Sequence, residues 1–278
     1  MVLVKGPGLY PDIGKKVRDL LYKDYLADQK FTLTTNTEDG LVITSNGIKK
    51  GNVLLADINT QLKNKNITTD VKVDTTSKVM TTFTVDEPAP GVKAIISFVV
   101  PDQKSGKVEL QYWHEYAGIS TSLGMSAKPI VNFSGVAGNQ KAAFGTEVSF
   151  DTATGSFTKY NTSLSITAND LIASLALNEK GDTISSSYYH AVNPLTAVGA
   201  EFTHRFSTNE NVLTFGTQHY LDPRTSVKAR LNSHGKASAL IQHEWRPKSL
   251  VTISGEVDTR TVDHLAKTAH MCGISKKL

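Results

Sequence analysis

Among the histidines, His114 stands beside Glu115, His219 close to Asp222, and His243 beside Glu244. Imidazole and carboxylate are the side chains of general acid and base catalysis, provided both reach one reacting atom. Adjacent residues on a strand face opposite sides, so strand placement holds the first and third pairs apart. No phosphate-cradling loop, nucleotide-fold fingerprint or metal-spaced cluster accompanies them. The sequence therefore points away from an enzyme and from any cofactor, and the histidines read as interfacial or structural. A second set is cationic. Lys15, Lys16, Arg18 and Lys23 lie in one short basic stretch, and Lys63, Lys93, Lys107, Arg205, Lys228 and Arg230 are scattered through the rest. Cations lining a narrow aqueous path with low-dielectric walls raise the local concentration of anions, so these ten are the candidates for anion attraction.

The basic stretch falls on the one segment with helical periodicity. From Asp12 to Tyr25, Ile13, Val17, Leu20 and Leu21 recur on one side, while Lys15, Lys16, Arg18, Asp19 and Lys23 fall mostly on the other. Pro11 suits a first-turn position, and Gly6-Pro7-Gly8 makes a flexible approach. A short, amphipathic, basic helix is expected.

After about Gln29 the period changes from 3.6 to 2. Val108, Leu110, Tyr112, His114 and Tyr116 oppose Lys107, Glu109, Gln111, Trp113 and Glu115. Between Ile119 and Lys128, Leu123, Met125 and Ala127 oppose Ser122, Gly124 and Ser126. The same split recurs over 171–178, 198–206 and 251–258, with turn residues such as Thr154-Gly155, Asn193-Pro194, Asp222-Pro223 and Arg246-Pro247 between segments. Dividing the roughly 250 residues after the helix by about 13 per strand and turn gives about 19 strands. A meander this long with one apolar face must close or expose a large greasy surface. Closure in lipid turns the apolar face outward and leaves the small polar residues lining a wet interior. The expected fold class is all-β, a transmembrane barrel of about 19 strands with the helix inside its lumen: residues 1–28 form the helical segment and 29–278 the pore. Tyr112, Tyr116, Tyr188, Tyr220 and Trp245 near strand ends are candidates for interfacial girdles.

Composition agrees with that reading. Only 39% of residues are hydrophobic and 20% charged, and no stretch approaches the run of roughly 20 apolar residues that a spanning helix requires. The only cysteine, Cys272, has no intrachain partner, which argues against a disulfide scaffold. Met1 to Leu9 has no apolar h-region, so a cleaved secretory leader is not expected, and the sequons at Asn66, Asn132 and Asn161 read as chance matches. Net charge is +4, without a basic tract interleaved with aromatics, so sequence-specific nucleic acid is not an expected partner.

Particular blocks carry a family resemblance. Lys5-Gly6-Pro7-Gly8-Leu9-Tyr10, Ile13-Gly14-Lys15-Lys16 and Asp19 to Tyr25 resemble the amino-terminal segment of plant voltage-dependent anion channels. His219, Asp222, Pro223, Thr225, Ala229, Arg230, Leu231, Asn232, Ser233, Ser238, Ala239 and Ile241 fit the eukaryotic porin signature, and 86–91, 129–135 and 241–249 are also similar to plant members. The resemblance implies a 19-stranded barrel in the mitochondrial outer membrane with its helix held in the lumen. It implies a lipid bilayer as partner, passage of ATP, ADP, phosphate and respiratory substrates, weak anion preference and closure at elevated voltage; a homo-oligomer is compatible with it.

The chain departs from the family pattern at three places. Leu26-Ala27-Asp28 replaces the usual glycine between helix and first strand, which should stiffen that hinge. Gly91-Val92-Lys93 stands where some members have a nucleotide-linked Gly-Leu-Lys. Lys267 to Leu278 replaces an apolar closing strand, with Ala269, Met271 and Gly273 alternating, at the end that in this family also carries sorting information. A protein-import pore, an assembly-defective porin paralogue and a soluble β ligand-binding protein are the alternatives.

Overall fold

The structure, a computed structural model, describes residues 6–25, 29–37, 40–50, 53–102, 105–246, 249–260 and 273–277. Among the described residues, nineteen strands follow the amino-terminal segment: β1 (Gln29–Asn36), β2 (Leu41–Lys50), β3 (Val53–Asn64), β4 (Ile67–Asp74), β5 (Val79–Asp86) and β6 (Val92–Val100). Then follow β7 (Lys107–Trp113), β8 (Ala117–Gly124), β9 (Ile130–Gly138), β10 (Ala142–Asp151), β11 (Ser156–Ala168) and β12 (Leu171–Asn178). The last are β13 (Thr183–Asn193), β14 (Thr196–Arg205), β15 (Glu210–Asp222), β16 (Thr225–Asn232), β17 (Lys236–Arg246), β18 (Ser249–Asp258) and β19 (Gly273–Lys277).

Each strand pairs antiparallel with the next in a single sheet, and β1 also pairs with β19. An odd number of strands in an up-and-down meander leaves the first and last running the same way, so the seam is parallel, from Lys30 opposite Gly273 to Thr34 opposite Lys277. The expected closure is therefore made by Gly273–Lys277, while Lys267 to Cys272 lie outside the described residues, as does Leu26-Ala27-Asp28. Nineteen strands spaced about 4.8 Å apart and tilted about 40° enclose a ring about 38 Å across, too wide for side chains to fill.

The two faces are chemically distinct. Phe83, Ile96, Phe98, Leu110, Phe133, Phe144, Leu164, Phe215 and Ile253 are exposed on the outer face. On the inner face Thr68, Ser122, Ser149, Asn161, Ser163, Ser165, Thr214, Ser238 and Thr252 are buried against neighbours and the helical segment. An apolar face exposed all round a closed sheet is the surface that lipid, and not water, must cover.

Three local expectations are corrected. The helix does not run unbroken from Asp12 to Tyr25: Tyr10–Asp12 form a 3-10 turn, and α1 spans only Lys15–Leu21. Gly14 between them has φ 69°, a left-handed conformation that glycine adopts without a Cβ penalty and that stops helical hydrogen bonding from propagating back to Asp12. Strands β7 and β8 end at Trp113 and Gly124, so His114–Tyr116 and Met125–Lys128 lie in turns and not on alternating strand faces. Tyr220 faces inward, accepting a hydrogen bond from the Gln218 amide at 2.7 Å, just before a bulge between Tyr220 and Asp222, and so is not a girdle residue. Trp245 has its side chain outside the described residues.

Candidate functional site

The amino-terminal segment lies across the inner wall. Its apolar stripe faces the sheet as the periodicity requires: Ile13 packs against Val136, Ala143 and Tyr10, and Val17, Leu20 and Leu21 are fully buried against Tyr189 and Ala197. The seat is shaped by wall residues without side chains. A Cβ on Gly216 would stand 2.5 Å from Leu21 Cδ2 and 3.0 Å from Leu20 Cδ2, and one on Gly118 would collide with the Gly8 carbonyl. Tyr10 meets the Ser163 hydroxyl at 2.9 Å, and the Tyr22 hydroxyl donates to Glu201 at 3.0 Å. Arg18, expected to project into the pore, folds back to donate to the carbonyls of Ile13 and Pro11, and Lys15 pairs with Asp12 at 3.4 Å.

At its carboxyl end α1 meets two of the predicted wall cations. Lys228 donates to the Asp19 carbonyl at 3.0 Å, and Arg230 donates to the Leu21 carbonyl at 3.1 Å. Arg230 also donates to the Ser238 hydroxyl and to Glu256, both at 3.1 Å, with its guanidinium 4.5 Å from the centre of the Tyr25 ring. The last carbonyls of a helix have no internal partner and carry partial negative charge, so two cations there satisfy both needs. Sequence reading grouped Lys228 and Arg230 with free pore charges because nothing in it places the end of α1 against β16.

All six predicted strand cations are on the inner face, by register with inward neighbours. Most are compensated there: Lys93 by Asp86 at 3.3 Å, Lys107 by Glu109 at 2.9 Å, and Arg205 by Glu179 at 3.1 Å. Lys16 lies over the Tyr189 ring at 5.7 Å. Among the described residues no carboxylate stands within ion-pair distance of Lys16, Lys23 or Lys63. Sequence reading missed Lys159, paired with Glu147 at 2.7 Å, and Lys72, paired with Asp57 at 3.5 Å. Strand parity alone would have placed both inside. Spaces open between segment and wall, among them one of about 230 Å³ beside Lys15, Lys16 and Lys141, one of about 380 Å³ beside Arg18, Lys159, Glu147 and Glu201, and one of about 400 Å³ beside Lys107, Glu109 and Lys159. Recesses lined by charges of both signs suit the transit of small ions.

The histidine and carboxylate pairs stay apart. His243 faces outward and bonds the Thr225 hydroxyl at 2.8 Å, while Glu244 lies on the inner parity. His219 bonds the Thr196 hydroxyl at 2.9 Å, and His114 sits in a turn between the rings of Tyr112 and Tyr116.

Two expected outcomes follow from this seat. Replacing the clamp with Lys228→Met and Arg230→Gln removes two charge-assisted hydrogen bonds worth about 1.5–3 kcal/mol each before solvent screening. Amide exchange of residues 15–21 in detergent should then speed up by at least about tenfold with the strand amides unchanged; unaltered protection would show that the clamp does not hold the helix. Burial pushes the Tyr25 phenol up to about 12, against the opposing pull of Arg230, and burial also raises Tyr10 and Tyr22. A folded-state value above the unfolded value of about 10 means that the docked segment keeps this stabilisation below pH 10 and loses it as pH rises toward about 12. Tyrosinate absorbance of the native chain should keep rising toward about pH 12, and the last part of that rise should be smaller by about one phenol in Tyr25→Phe; superimposable titrations would contradict the burial.

Comparison with known proteins fits this geometry. The family described as eukaryotic porin matches residues 6–272. The "Mitochondrial outer membrane protein porin of 36 kDa" of Solanum tuberosum is 72% identical over 95% of this chain and 97% of its own length. The "Mitochondrial outer membrane protein porin 1" of Arabidopsis thaliana is 63% identical over the same shares, and the "Outer plastidial membrane protein porin" of Pisum sativum is 66% identical, again over 95% and 97%. Barrel, lumen and likeness along nearly the whole chain converge: the protein belongs to the eukaryotic porin family.

Proposed function

We propose that the barrel is a voltage-gated diffusion path for anionic metabolites, ATP, ADP, phosphate and respiratory substrates among them, in which residues 1–28 act as one gating unit inside the pore formed by 29–278. The protein is a channel of the mitochondrial outer membrane rather than an enzyme, and its environment is a lipid bilayer. The observation that carries the reading is a closed sheet with an apolar outside and a polar inside, narrowed by a helix whose charged side faces the free lumen.

The ion pairs explain why selectivity should be weak. Lys93, Lys107, Arg205 and Arg230 each stand against a carboxylate, so at a distance each pair presents little net charge. Anion preference then rests on Lys16, Lys23 and Lys63, while Lys15, Arg18, Lys228 and Arg230 shape and hold the segment. Gating follows from moving that segment: one charge carried across the full field changes the energy by about 2.3 kcal/mol per 100 mV, so a few suffice for a steep response.

Planar bilayers test the reading. The purified chain should give discrete conductance, an anionic reversal potential under a salt gradient, and closure at either high positive or high negative voltage. Lys16→Gln, Lys23→Gln and Lys63→Gln together should bring the anion-to-cation permeability ratio to about one or below. The charge-conserving double change Lys93→Gln with Asp86→Asn should leave it unaltered. No conductance, or a ratio indifferent to the triple change, would refute the assignment.

A further inference from the structure

Three successive hairpins repeat one pattern: His190-Ala-Val-Asn-Pro-Leu-Thr196, His219-Tyr-Leu-Asp-Pro-Arg-Thr225 and His243-Glu-Trp-Arg-Pro-Lys-Ser249. Each histidine stands three residues before the end of its strand, β13, β15 or β17, at the same end of the barrel. Each is followed by a register shift, at Ala191/Asn193, Tyr220/Asp222 and Glu244/Arg246. The shifts re-aim the strand ends, and Val192 and Leu221 stand exposed on the outside. The histidines share the outward parity, on alternate strands and at equal distance from the rim, so they form a row at the level where hydrocarbon gives way to headgroups. The row is tied together laterally, since Thr196 bonds His219 Nδ1 and Thr225 bonds His243 Nδ1 at 2.9 and 2.8 Å. With each threonine hydroxyl donating, the Nε2–H is left to donate to an acceptor outside the protein. His190 Nδ1 has no partner among the described residues.

Directly below this row, toward the membrane centre, lies an apolar groove of about 570 Å³ on the outer face of β13–β16. Its floor is made by small residues, Val198, Ala200, Thr217 and Ala229, and its flanks by Tyr188, Phe215 and Leu231. Register places Tyr188 two residues inward of His190, and Thr217 and Phe215 two and four residues inward of His219. A polar row over an apolar furrow is the shape of a lipid, head at the rim and chain along the wall. The charged residues on the elements at this rim are Asp222 at the end of β15, Arg224 in the turn that follows, Asp170 in the turn before β12 and Arg246 at the end of β17. Their formal charges cancel, so the imidazole N–H groups are the donors that mark this rim for an anion.

We propose that this surface binds one anionic phospholipid of the surrounding bilayer, its phosphate held by the His190, His219 and His243 row and an acyl chain laid in the groove between Tyr188 and Leu231. The inference rests on the bilayer-spanning orientation and not on the selectivity of the pore, so failure of either leaves the other standing. The bound chain would lie one backbone layer from the helix seat, because Gly199 and Gly216 line the groove from one side and meet Leu20 and Leu21 on the other.

The test is native mass spectrometry of the full chain released from nanodiscs of equal phosphatidylcholine and phosphatidylglycerol at pH 6. The native barrel should retain phosphatidylglycerol over phosphatidylcholine by about fivefold or more, the ratio expected from one well-placed charge near a membrane surface. His190→Gln, His219→Gln and His243→Gln together should bring the ratio to about one, and His219→Gln alone to an intermediate value. Ala229→Phe, which fills the groove from a lipid-facing position, should lower retention of both lipids with the ratio kept. Added inorganic phosphate should displace neither, since the groove holds the chain. Single-channel conductance shows that each variant is assembled. A native ratio of one, a triple variant that keeps the preference, or displacement by phosphate overturns the proposal.

Discussion

Backbone N–H and C=O groups find no water in hydrocarbon, and each one left unpaired there costs several kcal/mol. For a chain whose segments alternate polar and apolar residues, only a closed sheet satisfies that constraint. The rest of the architecture follows from closure. An odd number of strands makes the seam parallel, carried by the short β19 between β18 and β1. A ring of 19 strands cannot be filled from its own inner face, so the interior is either open or occupied by something else. Here the occupant is the amino-terminal segment, and its fit depends on an apolar stripe meeting bare backbone at Gly118 and Gly216.

Electrostatics inside the pore is divided between holding and attracting. Arg230 bridges a wall carboxylate, a wall hydroxyl, a tyrosine ring and the last carbonyl of the helix, which is more engagement than a mobile screening charge has. Lys228, buried beside it, serves the same helix end. Carboxylates elsewhere on the wall pair with Lys93, Lys107 and Arg205, most of the remaining predicted wall cations.

Much of this was legible in the sequence because the period of a strand is 2 and each residue's face follows from its neighbours. The inward placement of Lys63, Lys93, Lys107, Arg205, Lys228 and Arg230 required no more than that alternation. The partners across strands were not legible, because Asp86 beside Lys93 or Glu256 beside Arg230 depends on register and rotamer, whereas Glu109 shares the strand and face of Lys107. Tyr220 was misplaced for a related reason: its strand-end location suggested a girdle, while inward parity just before the bulge puts its ring in the pore. The break at Gly14 was hidden by a stripe, Ile13 to Leu21, that stays in phase across it. The three hairpins that run from a histidine to a threonine or serine were present in plain sequence, and only their common rim gave them meaning.

The central claim is that one face of every strand meets lipid and the other meets water. Single cysteines at Val108, Glu109, Leu110 and Gln111 along β7, introduced in a Cys272→Ser background and reconstituted into liposomes, report it through labelling by a charged, membrane-impermeant thiol reagent. The account predicts reaction at 109 and 111 and protection at 108 and 110. Uniform labelling, or labelling at 108 and 110 with protection at 109 and 111, would contradict it.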